Sequence, residues 1–227
     1  MPMTNELSFD TMFASAESLR STDLNEPAVD RYTEIERLGL AITAEQQISL
    51  HHMWGVALLG ISKTEEARSH LRKALDMRPD QRRWAAIDRD LSRSYLIDGN
   101  LNPAEVQIDR SLEYIPLDDL PERGISLGFK ARILIAKGKT HEALELFGTA
   151  AKLLQRGDNR HYELYNGLHF AAALVEQANL EELENLDSYF DRVRWLANTY
   201  GGESHRVRWQ ELVRHIRELK GLANPVS

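Results

Sequence analysis

Histidines, carboxylates and arginines are the side chains of this chain that could do chemistry, and their spacing decides which chemistry is open. There are eight histidines in 227 residues. His51 and His52 are adjacent, so on a helix they point about 100° apart and do not easily share an ion. His141-Glu142 and His161-Tyr162-Glu163 lack the one-turn spacing of a helical ligand pair, and no His-Glu-x-x-His occurs. No metal site and no cofactor are expected. The absence of cysteine excludes a thiol nucleophile, a disulfide scaffold and a thiolate-bound cluster. Neither a G-x-S-x-G elbow nor a phosphate-cradling loop is present. Asp118, Asp119 and Glu122 could be imagined as acid–base carboxylates, but around Pro121 they read as the cap and dipole partners of a helix start. The chain is therefore not expected to be an enzyme. Arg89 and Arg93 stand one helical turn apart, where like charges cost about 0.2–0.5 kcal/mol. Such a pair invites a carboxylate or phosphate, unless nearby Asp88, Asp90 or Glu163 supplies it.

Composition narrows the choice further. Hydrophobic residues make up 42% and charged residues 28%, as in ordinary globular proteins. A net charge of -7 argues against nucleic acid or an anionic membrane as the partner of the whole surface. The start carries no basic-then-apolar leader and no apolar stretch long enough to span a bilayer, so a cytoplasmic protein is expected. The charge is unevenly spread. Residues 1–45 hold nine acidic and three basic residues, whereas 191–220 hold seven basic and four acidic.

Apolar residues recur three and four apart along nearly every long segment, which predicts an all-α chain of about ten helices. Pro27 suits a first helical turn and Gly39 a C-terminal cap. Thr43 with Gln46, and Ser62 with Glu65, read as capping boxes. Short breaks at Asp98-Gly99-Asn100, Gly138-Lys139-Thr140 and Gly157-Asp158-Asn159 imply antiparallel helical neighbours.

These hairpins repeat. Ala67, Leu71 and Ala74 share their spacing with Ala104, Ile108 and Ser111 and with Ala143, Phe147 and Ala150. Twelve residues before each first alanine stands a small residue, Gly55, Ser92 or Ala131, followed three residues later by Leu58, Tyr95 or Leu134. Small side chains let two helices cross closely, and the large ones fill the groove beside the next pair. The pattern resembles the tetratricopeptide repeat (TPR), best in Gly138 to Ala150 and nearly as well from Trp54-Gly55 to Pro79. Its period of 37 to 39 residues exceeds the standard unit of about 34. The resemblance covers about residues 44 to 200, with a degenerate fourth unit around Gly167 and Ala171. It implies a right-handed α-solenoid of antiparallel hairpins, preceded by a helical pair over 1–43 and closed by a capping helix over 201–227.

The resemblance further implies a protein-binding scaffold whose first helices line a concave groove for a peptide or partner protein. Carried over by position, the groove residues are His52, Arg89, Arg93, Phe129, Arg132, Tyr165 and His169. Arg93 and Arg132 hold the same place in successive units, which favours an acidic ligand. Chaperone-tail binding is not expected, because the positions for its carboxylate clamp hold His52, Val56 and Asp90. Two alternatives stand beside this reading. One is self-association through the terminal helices, with Trp209 and Ile216 of the last apolar stripe docking on another copy to form a homo-oligomer. The other is a peptide-sensing regulatory subunit. Trp54 is expected in the core.

Overall fold

A computed structural model describes residues 8–176 and 187–221. Eleven helices are found among them: α1 (Phe9–Ser21), α2 (Asn25–Leu38), α3 (Ala44–Gly60), α4 (Thr64–Asp76), α5 (Gln81–Ile97), α6 (Leu101–Tyr114), α7 (Leu120–Ala136), α8 (Thr140–Arg156), α9 (Arg160–Glu176), α10 (Asp187–Thr199) and α11 (Glu203–Leu219). No strand occurs among the described residues. The chain divides into two compact units, Met1–Tyr114 and Ile115–Ser227. In the first, α1 packs on α2, α3 on α4 and α5 on α6, while α2–α3 and α4–α5 join one hairpin to the next. In the second, α7 pairs with α8, α8 leads to α9, and α10 and α11 both pack on α9.

The turn inside each hairpin is built the same way four times. Asp23, Ser62, Gly99 and Gly138 sit at φ of 61, 59, 72 and 75°, the left-handed conformation that ends a helix. The next residue in each case donates its N–H to the carbonyl five residues back: Leu24 to Leu19, Lys63 to Leu58, Asn100 to Tyr95 and Lys139 to Leu134, at 2.9–3.0 Å. Ser62 is therefore the left-handed residue that closes α3, not the cap of a box that opens α4. Lys63 is the N-cap, and no side-chain cap bond forms there. The Thr43–Gln46 box is present as expected.

Five residues after each left-handed position comes an alanine with no exposed surface: Ala28, Ala67, Ala104 and Ala143. The first belongs to the N-terminal helical pair. Ala16, Leu19, Ala28, Tyr32 and Ile35 reproduce the spacing of Gly55, Leu58, Ala67, Leu71 and Ala74. That pair shares its core with α3 and α4, Tyr32 and Ile35 being almost wholly buried. It is thus a repeat unit in register with the next.

Close crossings depend on the small residues. A Cβ added at Gly55 would come within 2.8 Å of Leu71 Cγ, and one at Gly124 within 2.8 Å of Leu154 Cγ. Overpacking of that kind costs about 1–3 kcal/mol. Where the small residue is serine its hydroxyl is satisfied, Ser92 donating to the Ala104 carbonyl at 2.7 Å. Trp54 lies in the first core, beside Tyr32. No helix among the described residues is long and apolar enough to cross a membrane.

Candidate functional site

The groove-lining positions of the two units have different fates. In the first unit, His52 on α3 reaches across to Asp90 on α5, Nε2 to Oδ2 at 3.0 Å. His52 and Arg89 are 6% and 7% exposed, which removes both from the accessible groove expected of them. Burial alone would raise the Asp90 carboxyl. The hydrogen bond and field of His52, together with Arg89 and Arg93, hold it below its ordinary range. The anion that Arg89 and Arg93 invite is therefore supplied from within the chain. Arg93 itself is half-buried.

Neighbouring acids are also paired off. Asp88, fully buried, accepts from Arg110, with Nε to Oδ2 at 2.6 Å. In the second unit Glu163, equally buried, takes both oxygens to Arg192. Asp119 caps α7 by accepting from the Glu122 N–H, as its place beside Pro121 implies.

Phe129, Arg132, Tyr165 and His169 converge in the second unit. The Arg132 guanidinium lies 5.0 Å from the Phe129 ring centre and 5.4 Å from that of Tyr165. Its Nη1 donates to the Tyr165 hydroxyl at 2.7 Å. Tyr165 meets His169 edge to face at 4.7 Å. Stacking of a cation on two rings is worth about 0.5–1 kcal/mol each at a wet site and more when desolvated, and it fixes the direction in which the guanidinium points. Burial first, then the fields of Arg132 and Arg208, pushes His169 down to about 2. The imidazole is therefore neutral, and its Nδ1 accepts from Arg208 Nη2 at 3.3 Å.

Beside these side chains runs a slot between α7 and α9, lined by Gly124, Gly128, Tyr162 and Asn166 as well, with a volume of about 10 Å³. It admits little more than a single small group. Asn166 is buried and donates to the Phe147 carbonyl at 3.3 Å, while its Oδ1 has no partner. A Cβ at Gly128 would stand 2.7 Å from that oxygen, so only glycine leaves it room.

Solved structures similar to this chain are helical repeats. A Podosopora anserina kinesin light chain of nearly identical TPR-like repeats is 17% identical, covering 86% of this chain and 97% of its own, with a TM-score of 0.59. The apo form of RapI is 11% identical, covering 96% of this chain and 65% of its own, at 0.65. BtubC from P. vanneervenii is 15% identical over 97% and 96%, at 0.51. The fold is TPR-like. No family model matches the sequence, and no curated protein matches it.

Within this TPR-like array, Arg208 is the site residue that sequence reasoning missed. The basic character of residues 191–220 marked α11 as a whole. Which of its arginines turns toward α9 depends on how α11 packs, and that has no repeat to fix it. The same packing decides Trp209, which is 6% exposed and lies beside Phe190, 6.3 Å between ring centres. Trp209 belongs to the TPR-like core of the second unit, with Ile216 half-buried against it. No group of three metal-ligating side chains occurs among the described residues.

Proposed function

We propose that this chain is a non-enzymatic TPR-like scaffold that captures an extended acidic segment of a partner protein along α7 and α9. The carrying observation is that Arg208 is held by a neutral imidazole rather than by a carboxylate. Among the described residues no carboxylate pairs with Arg208, so its guanidinium keeps donors for an incoming anion. Arg132, oriented by two rings, supplies the second cation. Binding to the acidic segment would be non-catalytic, since these groups orient and neutralise but include no nucleophile.

The test uses fluorescein-labelled peptides of nine residues rich in Asp and Glu, with neutral peptides of the same length beside them. Anisotropy should report binding of the acidic set, lost in Arg208→Glu and retained in Arg93→Glu. Equal binding of neutral peptides, or an unchanged affinity in Arg208→Glu, would sink the reading.

Self-association is the second reading, and one observation favours a form of it. Trp195 and Tyr200, each 47% exposed, contact each other with ring centres 5.4 Å apart. A homo-oligomer would use these rings rather than the buried Trp209. Light scattering on Trp195→Glu checks it: a concentration-dependent mass that collapses to that of a monomer supports self-association, and a monomer throughout excludes it.

A further inference from the structure

The two adjacent histidines of α3 cannot share an ion with each other, and the fold gives each a different partner. His52 turns to Asp90. His51 turns to His70 on α4, with the two Nδ1 atoms 3.0 Å apart. The rings are half-buried, 5.2 Å between centres and inclined at 43°, and Trp54 lies 4.0 Å from the His70 ring.

The repeat makes this pair unusual. His51 stands four residues before the small crossing residue Gly55. Asp88 stands four before Ser92, and Glu163 four before Gly167. In those two hairpins the position carries a buried carboxylate neutralised by an arginine of the partner helix. In the α3–α4 hairpin the same slot holds two imidazoles, which offer lone pairs and no compensating charge. Burial is the chief influence lowering both groups, with His51 and then Lys73 adding to it at His70 and Lys73 at His51. One Nδ1–H then donates to the other Nδ1.

We propose that the His51–His70 pair is a binding site for a tetragonal divalent transition metal, copper(II) above all. The argument is one of bite. Metal–imidazole bonds are about 2.0–2.1 Å long. At their present 3.0 Å separation two such bonds would close at about 94°, near the cis angle of a square-planar or tetragonal site, so a small turn of the rings seats such an ion. Among divalent first-row ions copper(II) also binds such nitrogen sites most strongly. Zinc stands below copper(II) in that order. Seating the ion requires the donating ring to move its proton from Nδ1 to Nε2 and both rings to turn, so that the lone pairs converge off the N···N line. No net proton is released from the neutral pair. The charged groups acting on His51 are Glu36 of α2 and Lys73 of α4, and Lys73 also acts on His70. Water completes the coordination on the exposed side of the pair.

Trp54 supplies a reporter, because copper(II) quenches an indole this close. The experiment titrates copper(II) chloride into the full untagged chain in a non-coordinating buffer, following tryptophan emission and, on the same samples, electron paramagnetic resonance. Saturation at one ion per chain, a tetragonal spectrum with coupling to two nitrogens, and quenching absent from Trp54→Phe are expected. His51→Gln and His70→Gln should each weaken binding by at least the about 10–100-fold that even an outer-shell partner is worth. Circular dichroism checks that each variant is folded. If one is not, the other and the wild-type spectrum decide. Quenching unchanged in a folded single variant, coupling to fewer than two nitrogens, or zinc binding as tightly as copper would overturn the proposal.

Discussion

The first and second units are made from the same repeat and treat their arginines in opposite ways. In the first, Arg89 and Arg93 act on Asp90, a carboxylate of their own helix that His52 also holds. In the second, the equivalent surface offers Arg132 and Arg208 with aromatic rings and a neutral histidine around them. Like charge on a helix surface thus says little about ligand binding until its internal counter-charge is known. One carboxylate at position 90 distinguishes the arginines of the first unit from the ring-stacked Arg132 of the second.

Removing that carboxylate is the severest way to break the contrast. Asp90→Ala leaves His52, 6% exposed, without its partner and frees Arg89 and Arg93 from their anion. A buried polar group stripped of its hydrogen bond costs about 1–3 kcal/mol, and the loss of the charge places this variant near the upper end. Urea denaturation should show it. The same variant should acquire affinity for the acidic peptides in its first unit, measurable against an Arg208→Glu background. Stability equal to wild type and no gain of binding would mean that Asp90 does not close the first face.

Arg208→Glu acts on the other side of the comparison. A hydrogen bond to a charged group is worth about 1.5–3 kcal/mol, so acidic-peptide affinity should fall about 10–100-fold with the fold intact.

What could be read from the sequence, and what could not, follows from the same distinction. The hairpins were legible because helix crossing demands small residues at a fixed spacing, and Gly55, Ser92 and Ala131 stand out as small. The first hairpin shares that spacing through Ala16, Leu19, Ala28, Tyr32 and Ile35, yet bulky Tyr32 and Ile35 in place of Leu71 and Ala74 obscure the likeness. Phe129, Arg132, Tyr165 and His169 could be put on one groove face, with His52, Arg89 and Arg93, by carrying positions over from the TPR resemblance. Partner choice could not. Whether Arg93 faces a ligand or Asp90, and whether His51 faces solvent or His70, depends on side chains 3 and 19 residues away. The last helix lies outside the repeat, so its apolar stripe with Trp209 was legible but neither the stripe's partner nor which arginine meets α9 was.

Acid should weaken both units through their histidines. His70 is lowered to about 4, chiefly by burial and then by His51 and Lys73, and His169 to about 2. For a base whose folded pKa is depressed, the unfolded chain binds the proton first, so stability falls as pH drops below the unfolded value of about 6.5. The loss runs down toward pH 4 for His70 and lower still for His169. Both sites keep contact with water, and discounting His169 to a single pH unit still leaves about 1.4 kcal/mol. Thermal melts between pH 7.5 and 4.5 should show the decline, and His169→Gln should make it shallower. A flat profile, or one unaffected by that variant, would mean that His169 stays well enough solvated to protonate in place.

The finest test separates orientation from charge in the open face. Tyr165→Phe keeps the ring that stacks on Arg132 and deletes only the hydroxyl that accepts from Nη1 at 2.7 Å. A single neutral acceptor of this kind contributes about 0.5–1.5 kcal/mol, so affinity should fall about 2–10-fold if the hydroxyl aims the guanidinium at the ligand. Should the hydroxyl instead compete with the ligand for that donor, Tyr165→Phe would bind acidic peptide more tightly, and Arg132 would be a cation held in reserve rather than one already aimed. Calorimetry on the two proteins distinguishes these by the sign of the change, because the stacking contribution cancels between Tyr and Phe.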